Sequence, residues 1–437
     1  MTQLHRPSTL ARVWRAALLG PALLLAACGA APTPTVPPPT PAPATAPATA
    51  APQATATVAV APSATPAPPA ATPTLPPTAT TAPVTATAPV TATVPLTAPA
   101  GAATATATAG PDTFTDPVFR QDFPDPFVLE VGDTFYGYAT GAAGRNIQVA
   151  TSPDLLNWTL SHDALPALPK WASLTGGLTW APEVAEIGGQ FVMYYVAHDK
   201  TSDKQCVGVA TAPKPAGPFR DTNARPLVCQ ADLGGTIDPD VFSDQGKLYL
   251  YFKNDGNCCS IPTHLYGQQL APDGLSLVGT PAALIANDFA WERDVVEAPS
   301  MFLHAGHYYL FFSGNDYGGI DYAVGYATCD TPLGPCRQAP ENPILHSNMT
   351  INPPIVGPGH QTLLQLGDQT WIAYHVWEIA GGARGSRRFL WLSRVDWQNG
   401  KPVVQGPSQA PQPDPNVSVP ATPGAAPLPT AAATPGS

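Results

Sequence analysis

The segment Asp238-Pro239-Asp240-Val241, followed by Leu248-Tyr249-Leu250-Tyr251, decides the fold because the chain contains this arrangement five times. Each copy reads as a short strand, a turn and an aromatic-rich strand. Aligned residues of the copies are 56, 57, 60 and 62 residues apart in sequence, and they are Pro126, Pro182, Pro239, Pro299 and Gln361. A fixed period of this length in an all-β pattern predicts a propeller with one four-stranded blade per repeat. We therefore predict an all-β fold, a five-bladed β-propeller.

Acidic residues occupy the start of three copies. Matching positions on the blades of a propeller face one central channel, so Asp125, Asp238, Glu297 and the later His360 are expected to meet there. An Asp before Pro is also typical of a turn that bonds its own backbone, which is the structural alternative for the two aspartates. Glu297 follows two valines in an apolar setting, where burial would raise its pKa and keep it protonated, as a general acid requires. The set predicts a catalytic site.

Composition divides the 437 residues into four parts. Residues 1–27 carry a basic start and an apolar run, the layout of a secretory signal. Residues 28–111 consist almost entirely of Ala, Thr and Pro, with too little large apolar surface to offset the entropy of ordering, and residues 409–437 share this composition. We predict a disordered stalk over 28–111, a disordered tail over 409–437 and a folded domain over 112–408.

The apolar run ends in Leu25-Ala26-Ala27-Cys28-Gly29, which resembles the bacterial lipobox. An ordinary signal peptide with an incidental cysteine is the alternative. The run is too short to cross a bilayer, since about 20 apolar residues are needed. We therefore predict lipidation at Cys28 and an extracellular, cell-surface protein that contacts the membrane only through this lipid anchor.

Charge and cysteine content narrow the partners further. The formal net charge of −11 argues against nucleic acid or anionic polymers, and leaves neutral polymers open. Export favours disulfides among the six remaining cysteines. A local bridge is expected between the last two, a similar loop between the first two, and a vicinal disulfide in the middle pair; the residues are Cys206, Cys229, Cys258, Cys259, Cys329 and Cys336. A zinc site is the rival interpretation, but no CxxC pattern supports it.

The motifs together resemble family 43 of the glycoside hydrolases. The resemblance rests on five segments in the right order and on the closing run Arg394 to Pro402; the segments are Phe123-Pro124-Asp125-Pro126, Trp180-Ala181-Pro182-Glu183, Ile237-Asp238-Pro239, Val296-Glu297-Ala298-Pro299 and Gly357-Pro358-Gly359-His360. It implies a five-bladed propeller that hydrolyses arabinose- and xylose-containing plant polysaccharides or oligosaccharides with inversion. Glu183 departs from the Asp that many relatives carry there.

The resemblance also implies roles for individual residues. Asp125 would be the general base, Glu297 the general acid, and Asp238 the residue that orients the acid and tunes its pKa. Trp180, Phe123 and Arg293 are candidate substrate contacts, and Arg387 and Arg388 are further candidates to reach a sugar or the acid pair. His360 would lie in the channel beside a structural calcium ion or ordered waters. No cofactor is expected for the chemistry, and the protein is expected to be a monomer.

The substrate is the least determined part of the prediction. The Trp-Ala-Pro and Glu-Ala-Pro motifs, and Ser313-Gly314-Asn315 with Tyr317, favour α-L-arabinofuranosyl linkages. A β-xylosidase of the same family and a non-catalytic carbohydrate-binding surface propeller are the alternatives. Related fructan-hydrolysing propellers are disfavoured, because they carry Arg-Asp-Pro and Glu-Cys pairs where this chain has Ile237-Asp238-Pro239 and Glu297-Ala298.

Overall fold

The computed structural model describes residues 113–173 and 179–416. The predicted signal peptide, Cys28, the stalk and the tail beyond residue 416 lie outside the described residues. No helix in the described part of the chain is long and apolar enough to cross a membrane.

Five antiparallel sheets follow one another along the described part of the chain, and a two-stranded ribbon joins the start of this part to its end. The ribbon pairs β1 (Thr113–Phe114) with β21 (Gln412–Pro413). The first blade consists of β2 (Phe127–Val131), β3 (Thr134–Ala139), β4 (Gln148–Ser152) and β5 (Thr159–Asp163). The second consists of β6 (Trp180–Ile187), β7 (Gln190–Asp199) and β8 (Lys204–Ala212).

The remaining three blades have four strands each. The third consists of β9 (Thr236–Asp244), β10 (Lys247–Asn254), β11 (His264–Leu270) and β12 (Leu277–Ala286). The fourth consists of β13 (Val296–His304), β14 (His307–Gly314), β15 (Ala323–Cys329) and β16 (Cys336–Gln338). The fifth consists of β17 (Val356–Leu366), β18 (Gln369–Ala380), β19 (Ala383–Gln398) and β20 (Lys401–Val404). Two short 3-10 helices, Ala231–Leu233 and Gly256–Cys259, flank β9 and β10. The prediction of an all-β, five-bladed propeller is confirmed.

The second blade differs from the predicted four strands. Its outer strand β8 meets the following segment through isolated bridges, Gln205 to Gly235, Val207 to Val228 and Thr211 to Arg220. That segment contains Pro213, Pro215 and Pro218 within six residues. Because proline lacks the N–H that a ladder needs, a regular fourth strand does not form there.

The hydrophobic core lies between the blades. Five clusters of buried side chains each join two neighbouring blades, including the pair formed by the fifth and the first. Tyr138 and Tyr195 join the first two blades, and Tyr374 and Phe311 join the fourth and fifth. Most strand aromatics are therefore occupied in holding adjacent blades together.

The backbone repeats the sequence period at the start of each inner strand. One residue before each aligned position has a positive φ; the five residues are Asp125 (54°), Ala181 (42°), Asp238 (54°), Ala298 (52°) and His360 (52°). Asp and His are enriched in this left-handed region, whereas Ala costs about 1–2 kcal/mol there. In four of the five, the side chain that accepts the N–H group belongs to the preceding blade; the acceptors are His375, Thr140, Asp238 and Ser313. A shared backbone kink thus directs these residues inward.

The ring closes where the start of the chain packs on the fifth blade. Phe119 and Leu390 exchange backbone hydrogen bonds, and Gln412 donates to the buried carboxylate of Asp116 over 2.7 Å. Asn416 also donates to the backbone of Asp154. Residues 412–416 lie beyond the predicted domain end at residue 408, and they satisfy polar groups of the folded unit despite their tail-like composition.

Candidate active site

A cavity of about 410 Å³ opens at the centre of the ring. The three predicted carboxylates lie together in its wall, although the sequence separates Asp125 from Glu297 by more than 170 residues. The other lining residues come from several blades; they are Thr140, Trp180, Ile237, Asp255, Asn257, Cys258, Tyr317, His360 and Arg388. The convergence expected from the repeat is present.

Asp125 is held as a carboxylate by its neighbours. Its Oδ1 accepts a hydrogen bond of 2.8 Å from Arg388, and its Oδ2 accepts one of 2.6 Å from Thr140. Burial alone would raise its pKa, but the charge of Arg388, followed by that of His360, holds the pKa of Asp125 well below its usual range. Each oxygen keeps a further lone pair, so the group can still accept a proton from water.

Two histidines flank Asp125 in different ways. His375 accepts the backbone N–H of Asp125 through Nδ1 at 3.2 Å, and burial lowers the pKa of His375 well below its usual range. The ring is therefore neutral, and its approach of 3.5 Å to Asp125 Oδ1 is not an ion pair. His360 places Nδ1 3.4 Å from the same oxygen. His375 positions the backbone of Asp125, while His360 faces its carboxylate.

Calcium or ordered water is predicted in the channel beside His360, and each needs different ligands. Calcium takes six to eight oxygen ligands, which a histidine does not supply. In the described parts of the chain no group of three or more His, Cys, Asp or Glu side chains is placed to hold a metal ion. Calcium and ordered water both stay predictions for this position.

Asp238 connects the other two carboxylates. Its Oδ2 accepts the N–H of Ala298 at 3.0 Å and so fixes the backbone next to Glu297. Burial raises the pKa of Asp238 to about 6; His360 opposes the rise and the negative charge of Glu297 adds to it. Asp238 is thus an orienting group whose own charge depends on its neighbours.

Both carboxylate oxygens of Glu297 accept a hydrogen bond. Lys253 donates to Oε2 at 3.0 Å and Tyr322 donates to Oε1 at 2.8 Å. In the first and third blades the kinked residue is itself the aspartate, whereas in the fourth blade Ala298 is kinked and Glu297 precedes it. The longer glutamate side chain compensates for that offset and reaches the same cavity.

Several residues that line the cavity or contact its carboxylates have no signal in the sequence. Lys253 and Tyr322 are buried strand or strand-flanking residues in an aromatic-rich pattern, and Asp255 and Asn257 lie in a loop without a motif. Of the two arginines that the sequence suggests, Arg388 lines the cavity, whereas Arg387 pairs with Glu378 and lies outside the cavity lining. The positions of all these residues depend on which strands become neighbours, and the local spacing of residues in the sequence does not encode that.

Two predicted substrate contacts need correction. Phe123 is fully buried and packs edge-on against Phe119, so its ring does not reach the cavity. Arg293 is exposed, pairs with Asp321 and lines a separate cavity of about 360 Å³. Trp180 lines the cavity that holds the three carboxylates and is half-buried, a position compatible with the predicted stacking on a sugar.

The six cysteines of the described domain form three disulfides. The structure joins Cys206 to Cys229, Cys258 to Cys259 and Cys329 to Cys336, which are the pairs that the sequence favours. Cys258 belongs to the cavity lining, so the vicinal pair lies beside the three carboxylates.

A second layer of acidic residues lies below the cavity. Glu183 and Asp240 line a smaller cavity on the channel axis, together with the aligned prolines and Gln361. Glu183 accepts the N–H of Val241 at 3.4 Å, and Asp240 accepts that of Met301 at 3.0 Å. Burial raises the pKa of Asp240 to about 7, and burial with the charge of Asp240 raises that of Glu183 well above its usual range. These groups link blades.

Comparison with known proteins agrees with this geometry. The model of glycosyl hydrolases family 43 matches residues 114–402. A solved structure of a thermostable family-43 glycoside hydrolase is 32% identical with a TM-score of 0.64, and covers 70% of this chain and 100% of its own. A β-D-galactofuranosidase from Aspergillus niger is 29% identical over 290 residues, which are 62% of this chain and 79% of that protein.

A further relative is the extracellular endo-α-(1→5)-L-arabinanase of Thermotoga petrophila, 27% identical over 258 residues. The match covers 48% of this chain and 50% of the arabinanase, so the chain spans about half the length of that relative. The predicted family and enzyme class are confirmed. The chain belongs to family 43 of the glycosyl hydrolases, a family of inverting glycosidases.

Proposed function

We propose that this chain hydrolyses arabinose- or xylose-containing polysaccharides or oligosaccharides of plant cell walls, with α-L-arabinofuranosyl linkages as its main substrate. The observation that carries the proposal is the meeting of Asp125, Asp238 and Glu297 in one cavity, each with a different set of partners. A sugar-binding propeller without activity would not need a base fixed by Arg388 and an acid fixed by Lys253.

The proposed reaction is a single displacement. Asp125 removes a proton from a water molecule, whose oxygen attacks the anomeric carbon as the bond from that carbon to the leaving oxygen breaks. The proton of Glu297 passes to the leaving oxygen, and the product has the inverted configuration. Asp238 holds the backbone beside Glu297 and contributes negative charge there. Trp180 and Tyr317 offer aromatic faces to the sugar at the cavity wall.

The test of the reaction is product analysis with the full-length protein. Arabinan, arabinoxylan and xylan are compared with aryl α-L-arabinofuranoside and aryl β-D-xyloside, and proton NMR follows the configuration of the first-formed sugar. We expect the arabinofuranosides to be cleaved fastest with inversion. Faster xyloside cleavage would make the enzyme a β-xylosidase, and sugar binding without turnover would identify a carbohydrate-binding propeller.

A second substrate is favoured by a specific relative. The A. niger protein, of which the match covers 79%, is named a β-D-galactofuranosidase. β-D-Galactofuranose has the ring stereochemistry of α-L-arabinofuranose with an added hydroxymethyl group, so one cavity could discriminate them by size. Aryl β-D-galactofuranoside therefore belongs in the panel, and a higher kcat/KM on it would replace the arabinofuranosyl assignment.

We propose that the protein works outside the cell, attached through a lipid on Cys28. The lipobox-like run before Cys28 and the uncharged segment after it support this location. Mass spectrometry of the mature N-terminus should find an acylated cysteine, and the Cys28→Ala variant should leave the detergent phase. An unmodified N-terminus, or an equal membrane fraction for Cys28→Ala, would contradict the anchor.

A further inference from the structure

Lys253 is a buried cation in direct contact with the proposed acid. Its side chain is 0% exposed, and its Nζ donates to Glu297 Oε2 at 3.0 Å and to Asn257 Oδ1 at 2.9 Å. Removing an ammonium group from water costs several kcal/mol unless hydrogen bonds and a counter-charge replace the lost hydration. Here the counter-charge is the carboxylate of Glu297, which must be protonated when it acts as the proposed acid.

The fold holds Lys253 in this place through two local features. A register shift between Tyr251 and Lys253 interrupts the pairing of β10 with β9 and sets Lys253 opposite Ile237, the neighbour of Asp238. The loop that follows bends back through the helix Gly256–Cys259, so that Asn257 reaches the ammonium group.

This loop is tied down around Asn257. The side chain of Asn254 forms hydrogen bonds with the backbone of Leu233, Pro262 and His264. The next two residues after Asn257 form the vicinal disulfide Cys258–Cys259, and Cys258 Sγ contacts the carbonyl oxygen of Gly234 at 3.5 Å. Asn257 is thus presented to Lys253 from a loop with little freedom to move.

Charged and titratable groups from four segments of the chain lie near Glu297. Lys253 comes from β10, Asp238 from β9, Asp255 from the loop after β10, and Tyr322 from the segment before β15. Asp125 and His360 act on Asp238 from the first and fifth blades. Among these groups Lys253 is the cation that touches Glu297, and its charge is opposite to that of Asp238.

We propose that Lys253, held by Asn257, is a positioning residue that fixes the orientation of the Glu297 carboxyl group and opposes the charge of Asp238 upon it. The inference rests on the proposed role of Glu297 as the acid. Asp238 favours retention of the acid proton, and Lys253 favours its release to the leaving oxygen. The two residues therefore act on the same proton in opposite directions.

Opposite charges predict opposite shifts in the pH dependence of kcat/KM. Removing the positive charge in Lys253→Met makes the proton of Glu297 harder to lose, so the alkaline limb moves to higher pH. Removing the negative charge in Asp238→Asn makes it easier to lose, so the same limb moves to lower pH. If Glu297 takes no part in the reaction, neither variant moves the limb.

The experiment uses the full-length protein with two aryl arabinofuranosides, one with a poor and one with a good leaving group. Lys253→Met should lower kcat about 10²-fold on the poor leaving group, the size expected from misplacing a reacting group. It should lower kcat much less on the good one and leave KM near its original value. The matched control is Lys247→Met, which removes an exposed lysine from the same strand.

Asn257→Asp provides a second variant that does not empty a buried site, since Asn257 is exposed. Its added negative charge should move the alkaline limb upward, in the same direction as Lys253→Met, while Asn257→Ala should lower kcat without that shift. A folded Lys253→Met protein with the original limb and kcat, together with an unmoved limb in Asn257→Asp, overturns the inference. If Asp238→Asn still moves the limb, the proposed function survives; if no variant moves it, Glu297 is not the acid.

Discussion

Two layers of buried carboxylates share the central channel, and their partners differ in charge. In the layer that we propose to be catalytic, formed by Asp125, Asp238 and Glu297, Asp125 pairs with Arg388 and Glu297 pairs with Lys253. In the lower layer, Glu183 and Asp240 accept backbone N–H groups, and no described cation contributes to their titration. Burial acts on both layers, but the charge of Arg388 helps to hold the pKa of Asp125 low, whereas no such charge offsets burial at Glu183 and Asp240. Position in the channel alone does not make a carboxylate catalytic.

The largest expected effect comes from breaking the catalytic layer at Asp125. Asp125→Ala should lower kcat by about 10²–10⁴-fold, because a positioned base contributes that much, while sugar binding stays nearly intact. The matched variant Glu183→Gln in the lower layer should keep most activity. Steady-state kinetics and calorimetric sugar binding measure both. Full activity in Asp125→Ala would remove the base assignment.

Glu297→Ala should show a loss that depends on the leaving group. Natural arabinosides need a proton on the leaving oxygen and should lose about 10²–10⁴-fold in kcat. An activated aryl arabinofuranoside departs without that proton and should lose far less. Equal losses on the two substrates would show that Glu297 is not the acid.

Gly359→Ala tests Tyr322, the uncharged hydrogen-bond partner of Glu297, without replacing Tyr322 itself. A Cβ at this position would lie 2.1 Å from the Tyr322 ring, so the ring would have to move and weaken its hydrogen bond to Glu297. We expect kcat to fall about 10-fold or more, since small misplacements of a catalytic group are costly. Gly246→Ala, in an exposed turn with a φ of 77° and open space around its Cβ, controls for the backbone strain and stability loss that replacing a glycine brings. Unchanged kcat in a folded Gly359→Ala protein would argue that Tyr322 is dispensable.

Asp240→Asn should give the smallest effect, on stability rather than rate. The pKa of Asp240 is raised by burial to about 7, above the ordinary 3.8, so the folded state keeps a proton that the unfolded state has lost between these values. Its contribution to stability is therefore present at low pH and is lost as the pH rises towards 7. Relative to the original protein, the Asn variant should gain Tm between pH 4.5 and pH 8. A constant difference across that range would mean that Asp240 is ionised in the folded state.

The sequence by itself determined the number of blades and brought out the three carboxylates that we propose to be catalytic. The period from Pro126 to Gln361 is a local pattern repeated along the chain, and such a pattern can be recognised without knowing which residues are in contact. Asp125, Asp238 and Glu297 are tied to that period, which is why they could be identified together. The left-handed backbone at Asp125 and Asp238 follows the same register.

Only the tertiary structure decided which partners each carboxylate meets. Arg388 and Asp125 are 263 residues apart, and Lys253 and Glu297 are 44 apart, on different blades. Gln412 reaches Asp116 across 296 residues although its neighbours resemble the tail, and Phe123 turns into the core although its motif adjoins Asp125. A repeat sets the orientation of each strand relative to the axis, but closing the ring sets which side chains touch. The charge state of the site depends on those contacts, and so it follows from the closed ring.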